Sequence, residues 1–471
     1  MAISRPCPST TLRAVPLARW GRIGAALLLA LASFHAPAHA DVLVDNVDGF
    51  TLDAEGKVQR FTGFLIGDDG RIEQVFQRGD KRPGKVDYAL NGKGRVVMPG
   101  FVDADIDLMG FGFSLVESTS PNAQPRPEDR DLALAKAQQA LLQRGVTAVT
   151  DMGTTIENWQ TYRRAGDLGA LSIRVMAYAE GVDAMILIGG PGPTPWLYDD
   201  KLRLNGVRLI LDGTVAKQDA LLKAAYADAP QKKPAPRLSD TQLRNLMSRA
   251  AMDNFQPAIA AHGDRATAMV LDAVDELAQT YRGDRRWRLE GVELVDQPDL
   301  ARLAASGAVV EIAPTRLEGN RQVAESRVGP ARVAGAYAWK SWGDAGARLA
   351  FGSAAPLSPP DPFAAIAAAI TRADAQEQPF GGWQPQERLT REAAFVALTA
   401  GAAWAGFADG RFGRLAQGQR ADFLFLDRDP LLANPAELRA TRVLETWVGG
   451  RQVYRAKEAP TPPAPNGETG R

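Results

Sequence analysis

Val96-Val-Met-Pro-Gly-Phe-Val-Asp-Ala-Asp-Ile-Asp107 opens as an apolar, β-branched run and closes in three carboxylates at alternate positions. Side chains on a strand alternate between two faces, so Asp105 and Asp107 fall on one side of the strand end. The same pattern, a short apolar strand that finishes in polar residues, recurs down the chain. Reading outward from Val96–Val102, strands are expected at Val146–Thr150, Ile173–Ala179, Val207–Leu211, Pro257–Ala261, Arg288–Leu294, Ala308–Ile312 and Arg348–Phe351. Helical patterns separate most of them, at Asp129–Arg144, Asp240–Asn254, Ala266–Tyr281, Gln297–Ser306 and Val333–Ala345. Eight βα units in succession predict an α/β fold, a TIM (β/α)8 barrel.

The flanks follow a different rule. Short alternating runs separated by Gly and Asp turns, such as Arg60–Ile66 before the barrel and Asp422–Leu426 and Glu445–Val448 after it, predict antiparallel strands. The two flanks are expected to pair into one discontinuous small β-sandwich domain, residues 41–97 with 410–455, around a barrel domain at 98–409. The loops Gly189–Trp196 and Asp228–Ser239, rich in Pro and in Gly or Lys, are placed as a rim above the barrel mouth. The Pro-rich stretch 456–471 lacks periodicity and reads as a disordered tail.

Residues 1–40 read as a signal peptide. Arg5, Arg13, Arg19 and Arg22 precede the apolar run Ile23–Phe34, and Ala38-His39-Ala40 has the small residues of a cleavage site. The run is too short to span a bilayer, and no later stretch is long and apolar enough, so a periplasmic or secreted protein without a membrane span is expected, cleaved near Ala40. Of 55 Lys and Arg and 55 Asp and Glu, the leader takes four arginines, so the remainder is slightly acidic and gives no reason to expect nucleic acid. The leader also takes the only cysteine, Cys7, and two of the three histidines, His35 and His39. His262 alone is left for imidazole chemistry.

In a TIM barrel chemistry gathers at the C-terminal ends of the strands. The residues there are Asp103, Asp105 and Asp107 after strand one, Asp151 after strand two, Glu180 after strand three and Asp212 after strand four. His262 and Asp264 follow strand five, Glu290 lies on strand six, and Thr315 and Ser353 close strands seven and eight. Asp105 and Asp107, with Asp212, Asp264 or Glu290, offer an all-oxygen site for a hard cation such as Mg²⁺ or Ca²⁺. Trp196, Trp339, Trp342 and Trp383 are aromatic candidates for a pocket wall.

The motif Val97–Asp107 resembles the first-strand signature of the amidohydrolase superfamily. Five further stretches match in the same order: Gly145–Gly153, Gly206–Gly213, His262–Ala266, Asp344–Ser353 and Ala421–Pro430 resemble the branch containing N-substituted formamide deformylase. The resemblance implies a fold that holds Zn or another divalent metal and hydrolyses non-peptide C–N bonds. It also implies that the metal ligands and catalytic base fall on Asp105, Asp107, Arg208, Ala260, Gly291 and Ala354, none of which is the residue type the family uses there.

Arg208 cannot be carboxylated as a lysine can, and its guanidinium is expected to pair with Asp105 and Asp107 in the place of the metal. The sequence therefore predicts an exported amidohydrolase-like protein with its metal centre lost and no cofactor, acting as a non-catalytic binder of an unidentified small molecule or as a scaffold. The alternative is an active hydrolase of amide-type C–N bonds. Its candidate catalytic residues are Asp105, Asp107, His262, Asp264 and Glu290, in a pocket with Arg208, Asp212, Asp151, Ala260, Gly291 and Ala354. Nothing in the sequence sets the oligomeric state.

Overall fold

The computed structural model describes residues 41–53, 56–116 and 125–457; the leader, with Cys7, His35 and His39, and tail residues 458–471 lie outside them. Eight parallel strands stand side by side in sequence order: Phe101–Ile106, Val146–Thr154, Arg174–Glu180, Leu202–Ile210, Gln256–Ala260, Arg288–Glu290, Val309–Ile312 and Arg348–Phe351. A parallel bridge between Ile106 and Ala355 nearly closes the sheet into a barrel. The strands read as apolar runs because both faces are covered, one by helices and the other by the barrel interior.

The helices hold to this cylinder by one face each. Asp240–Met252 starts at a capping box, in which the Ser239 hydroxyl accepts from the Gln242 N–H and the Gln242 side chain returns to the Ser239 N–H. Its buried residues, Leu243, Met247, Ala250 and Ala251, recur at helical spacing. Asp264–Leu277 likewise buries Val270, Leu271, Val274 and Leu277.

The barrel interior is lined by small residues. Ala104, Ala148, Ala258 and Ala350 are fully buried beside Met152, Met176, Tyr178 and Val309. That economy of volume leaves room for two long polar side chains inside the barrel, Tyr178 and Arg288, both with no solvent exposure.

A second sheet joins the two ends of the described chain. Its strands lie in the order Arg451–Arg455, Val443–Val448, Phe423–Leu426, Val96–Pro99, Val42–Leu52, Val58–Ile66 and Ile72–Phe76, with Tyr88–Asn91 also on Val42–Leu52. The seam between the ends is antiparallel, Phe423 opposite Pro99 and Leu426 opposite Val96. Phe64, Phe423 and Trp447 form its aromatic core, Phe423 stacking on Trp447 at 5.2 Å.

Several boundaries differ from the sequence reading, among them the start of the fourth strand at Leu202 and the end of the second at Thr154, and two differ for clear reasons. The single strand expected at Val96–Val102 is two strands in two sheets, broken at Gly100. A Cβ on Gly100 would meet Thr147 Oγ1 at 2.2 Å, so only glycine lets the chain cross from one sheet to the other there. The sixth barrel strand stops at Glu290 rather than Leu294, because Gly291 turns into the left-handed region at φ +66°. Among the described residues no helix is long and apolar enough to cross a membrane.

Candidate functional site

Three carboxylates from three strands meet inside the barrel: Asp105 near the end of the first strand, Glu290 at the end of the sixth and Glu311 on the seventh. Each offers an oxygen within 4.8 Å of the other two. Glu311 has no solvent exposure; its Oε2 accepts from the Gly291 N–H at 2.8 Å, and its buried Oε1 has no hydrogen-bond partner among the described residues. Gly352 makes the close approach possible, since a Cβ there would stand 2.4 Å from that oxygen and 2.6 Å from the Asp105 Cβ.

Burial acts on all three acids in the same direction. It raises the carboxyl of Asp105 against the opposing charges of Arg208, Arg288, Arg316 and His262. Burial raises Glu290 as well, with the Arg288 guanidinium pulling back. Glu311 is pushed well above the usual range by burial and then by its two acidic neighbours. Three carboxylates sharing one low-dielectric space cannot all ionise without compensating positive charge.

Arg288 supplies part of it. Its Nε and Nη2 grip the two oxygens of Glu290 at 2.6 and 3.1 Å, Nη2 also donates to the Ala104 carbonyl at 2.8 Å, and the guanidinium lies 5.2 Å from the Tyr178 ring centre. Arg208 contributes from further off. Its Nη1 donates to the Met152 carbonyl at 3.1 Å, its Nε is buried without a partner, and among the described residues none of its nitrogens lies within 4.0 Å of a carboxylate oxygen. The expected Arg208 ion pair with Asp105 and Asp107 is therefore corrected: the guanidinium that grips the cluster is Arg288.

His262 stands beside the cluster and is held by Asp212. The Asp212 Oδ1 accepts from the His262 backbone N–H at 2.8 Å and lies 3.2 Å from Nδ1, while Oδ2 accepts from Leu221 and Gly263 N–H at 2.9 and 3.0 Å. A carboxylate facing Nδ1 favours the proton on that atom and leaves Nε2 as the open nitrogen. Nε2 lies over Gly291, where a Cβ would approach it to 2.8 Å. Glu293 follows on the same turn; burial raises its carboxyl, and its Oε2 accepts from the Val215 N–H at 2.7 Å.

The remaining sequence candidates go to other tasks. Asp107 is exposed and caps the helix Leu108–Ser114, its Oδ1 accepting from the Gly110 N–H at 2.7 Å. Asp264 opens the helix Asp264–Leu277 and accepts from Lys223 and Arg265 N–H. Asp151 is buried and accepts from Leu108 N–H, Thr154 Oγ1 and Tyr162 OH at 2.9, 2.6 and 2.9 Å. Ala260 is buried, and Ala354 adopts φ +54° with its N–H donating to the Asp105 carbonyl at 2.8 Å. The tryptophans pack elsewhere: Trp339 and Trp383 over Arg372, Trp196 edge-on to Phe412, and Trp342 fully buried.

Glu311, Arg288 and Glu293 were absent from the sequence candidates. The one available signal for Glu311 was a charged residue inside the apolar run Val309–Ile312.

The sequence profile of the amidohydrolase family matches residues 113–454, which run from the end of the barrel's first helix through its other seven strands and into the C-terminal strands of the second sheet. The chain belongs to the amidohydrolase family. A curated relative, the protein LONG AFTER FAR-RED 3 of Arabidopsis thaliana, is 30% identical over 345 residues, covering 69% of this chain and 58% of that protein. The N-substituted formamide deformylase of Arthrobacter pascens is 25% identical over 316 residues, covering 66% of this chain and 57% of that enzyme. The chain thus spans somewhat over half the length of these relatives.

Among solved structures, an uncharacterised metal-dependent hydrolase of Pyrococcus horikoshii OT3 superposes with a TM-score of 0.72 at 20% identity, covering 84% of this chain and 99% of that one. The expectation of no cofactor is overturned by these findings together. The fold is shared with a hydrolase described as metal-dependent, and Asp105, Glu290 and Glu311 form an acidic triad able to hold a metal ion. The expectation failed because the all-oxygen site weighed from the sequence lacked Glu311 and was set aside in favour of an Arg208 ion pair that does not form.

Proposed function

We propose that this amidohydrolase hydrolyses amide-type C–N bonds with a divalent cation held by Asp105, Glu290 and Glu311. The observation that carries the reading is the unpartnered, fully buried Oε1 of Glu311, placed among the oxygens of two other carboxylates. Burial and mutual repulsion raise all three carboxyls despite the charges of Arg208, Arg288 and Arg316, and a cation seated among the oxygens offsets what those guanidiniums leave uncompensated. An all-oxygen donor set suits Mg²⁺, Mn²⁺ or Ca²⁺ better than Zn²⁺. Such a cation polarises a substrate carbonyl and acidifies water.

The chain's own residues supply the rest. Arg288 fixes Glu290 in one orientation through two hydrogen bonds, so that ligand needs no rearrangement. Asp212 holds the His262 ring so that Nε2 can accept a proton from attacking water and return it to the departing nitrogen. Gly291 leaves that nitrogen accessible. The buried walls of the barrel keep bulk water from the acids and strengthen every charge interaction among them.

The reading includes export. The basic, apolar and small-residue zones of residues 1–40 support cleavage near Ala40, and N-terminal sequencing of the protein from the host's periplasm or medium should begin at Asp41.

Elemental analysis after dialysis tests the metal. About one equivalent of a divalent cation is expected in the purified chain, with loss of that cation and of its thermal stabilisation in Glu311→Gln. A chain that stays metal-free when offered Mg²⁺, Mn²⁺, Ca²⁺ and Zn²⁺ sinks the proposal. In a panel of N-formyl and N-acyl amines, turnover should fall about 10²-fold or more in His262→Ala while metal content holds.

A further inference from the structure

A groove of about 1040 Å³ lies where the ends of the helices Pro127–Gln143 and Pro435–Arg439 meet the strands Val443–Val448 and Arg451–Arg455, and it shares no lining residue with the carboxylate cluster. Seven cationic side chains line it against two carboxylates, Asp361 and Glu445. Glu445 is already engaged, 2.8 Å from Arg95 and 3.6 Å from Arg455. Asp361 caps a helix, accepting from the Ala364 N–H at 3.0 Å. Outside the groove, Asp427 takes up Arg442 at 3.4 Å.

Four cations are left over. Lys93, Arg144, Arg439 and Lys457 have no carboxylate oxygen within 4.0 Å among the described residues. Arg439 is half-buried and donates only to the Ala364 and Ala373 carbonyls; burial lowers its pKa against the charges of Glu318, Asp361, Asp374 and Glu377, none of which forms an ion pair with it. The whole chain carries Lys plus Arg and Asp plus Glu in equal number, 55 each, so this excess belongs to the groove and not to a basic surface at large.

We propose that the groove binds a small oligoanion, a molecule carrying at least two phosphate or carboxylate groups. Like charges gathered around a concave surface repel one another unless an anion sits between them, and guanidinium forks match the oxygens of both groups. The cations are spread around a space of small-molecule size, which favours several anionic groups over one. Leu444 and Tyr454, half-buried in the lining, give an organic scaffold somewhere apolar to rest.

Calorimetric titration of the full chain with inorganic triphosphate, and separately with citrate, tests this. At low ionic strength at least one should bind saturably at one per chain, weakening when salt is raised to roughly 0.15 M. The preferred probe tells phosphate from carboxylate. Lys93 and Lys457 are exposed, so the variant carrying Lys93→Ala and Lys457→Ala should keep its circular dichroism and bind about tenfold more weakly. Arg144→Glu should weaken binding further, while Glu311→Gln should leave it unchanged. Failure of both probes to saturate, unchanged binding in both groove variants, or loss of binding in Glu311→Gln would each overturn the proposal.

Discussion

Gly291 carries two demands at once. Its φ of +66° ends the sixth strand, and its missing side chain leaves space for His262 Nε2. Gly291→Ala should cost about 1–2 kcal/mol in urea unfolding from the backbone alone, and should displace the imidazole and reduce turnover while metal content is retained. Retained turnover in a destabilised variant would remove His262 from the mechanism. A second residue, Asp151, makes a pH prediction. Burial raises its carboxyl to about 6, against about 3.9 in an unfolded chain, so between these values the folded state holds a proton that the unfolded state has lost. Its contribution is therefore complete below about pH 4 and disappears as pH rises through about 6. Stability measured across that window should fall by about 3 kcal/mol more in the wild type than in Asp151→Asn, where nothing titrates. At this scale the sequence was only partly informative. Asp105, Glu290 and His262 could be named because each ends or follows a strand. Glu311 was hidden because burial inside an apolar run looks like core until the facing strands are known.

The same acidic residue type serves opposite purposes depending on the element that carries it. Asp105 sits on a strand and points toward the other acids, whereas Asp107, two residues on, has already become the cap of Leu108–Ser114. Asp107→Ala should cost about 1 kcal/mol of stability by thermal or denaturant melting and leave the metal content untouched; loss of the cation would place Asp107 back in the site. The strands were legible because a parallel barrel demands apolar runs at regular intervals, and seven of the eight were located to within a few residues. The first was misread at Gly100. Local pattern shows one extended apolar segment there, and only the close approach of Thr147 reveals that the segment changes sheets. Helices such as Leu317–Val328 and Pro362–Thr371 were missed where Arg, Glu or Ala runs gave no clear apolar stripe.

Across the whole molecule, the barrel and the second sheet are locked by a buried ion pair. Arg174, at the start of the third barrel strand, holds both oxygens of Asp422 at 2.6 and 2.7 Å and also donates to the Asp199 and Asp200 carbonyls; both charged side chains are almost fully buried. Arg174→Ala leaves Asp422 buried without its partner and should cost about 3–5 kcal/mol in denaturant unfolding, whereas replacing both residues with apolar ones of similar volume should cost much less. Equal losses in the two variants would show that the pair itself, rather than the stranded charge, sets the stability. The pairing of Phe423–Leu426 with Val96–Pro99 carries a further consequence for how the protein is made. Roughly 320 residues separate those strands, so at about 5–20 residues per second a ribosome needs on the order of 16–65 s to deliver the partner of Val96–Pro99. Throughout that interval an apolar strand edge waits unpaired beside a growing barrel. A nascent chain stalled before Phe423 should therefore be a holdase client and one released after Leu426 should not, which makes the timing of chaperone release a readout of when the two ends meet.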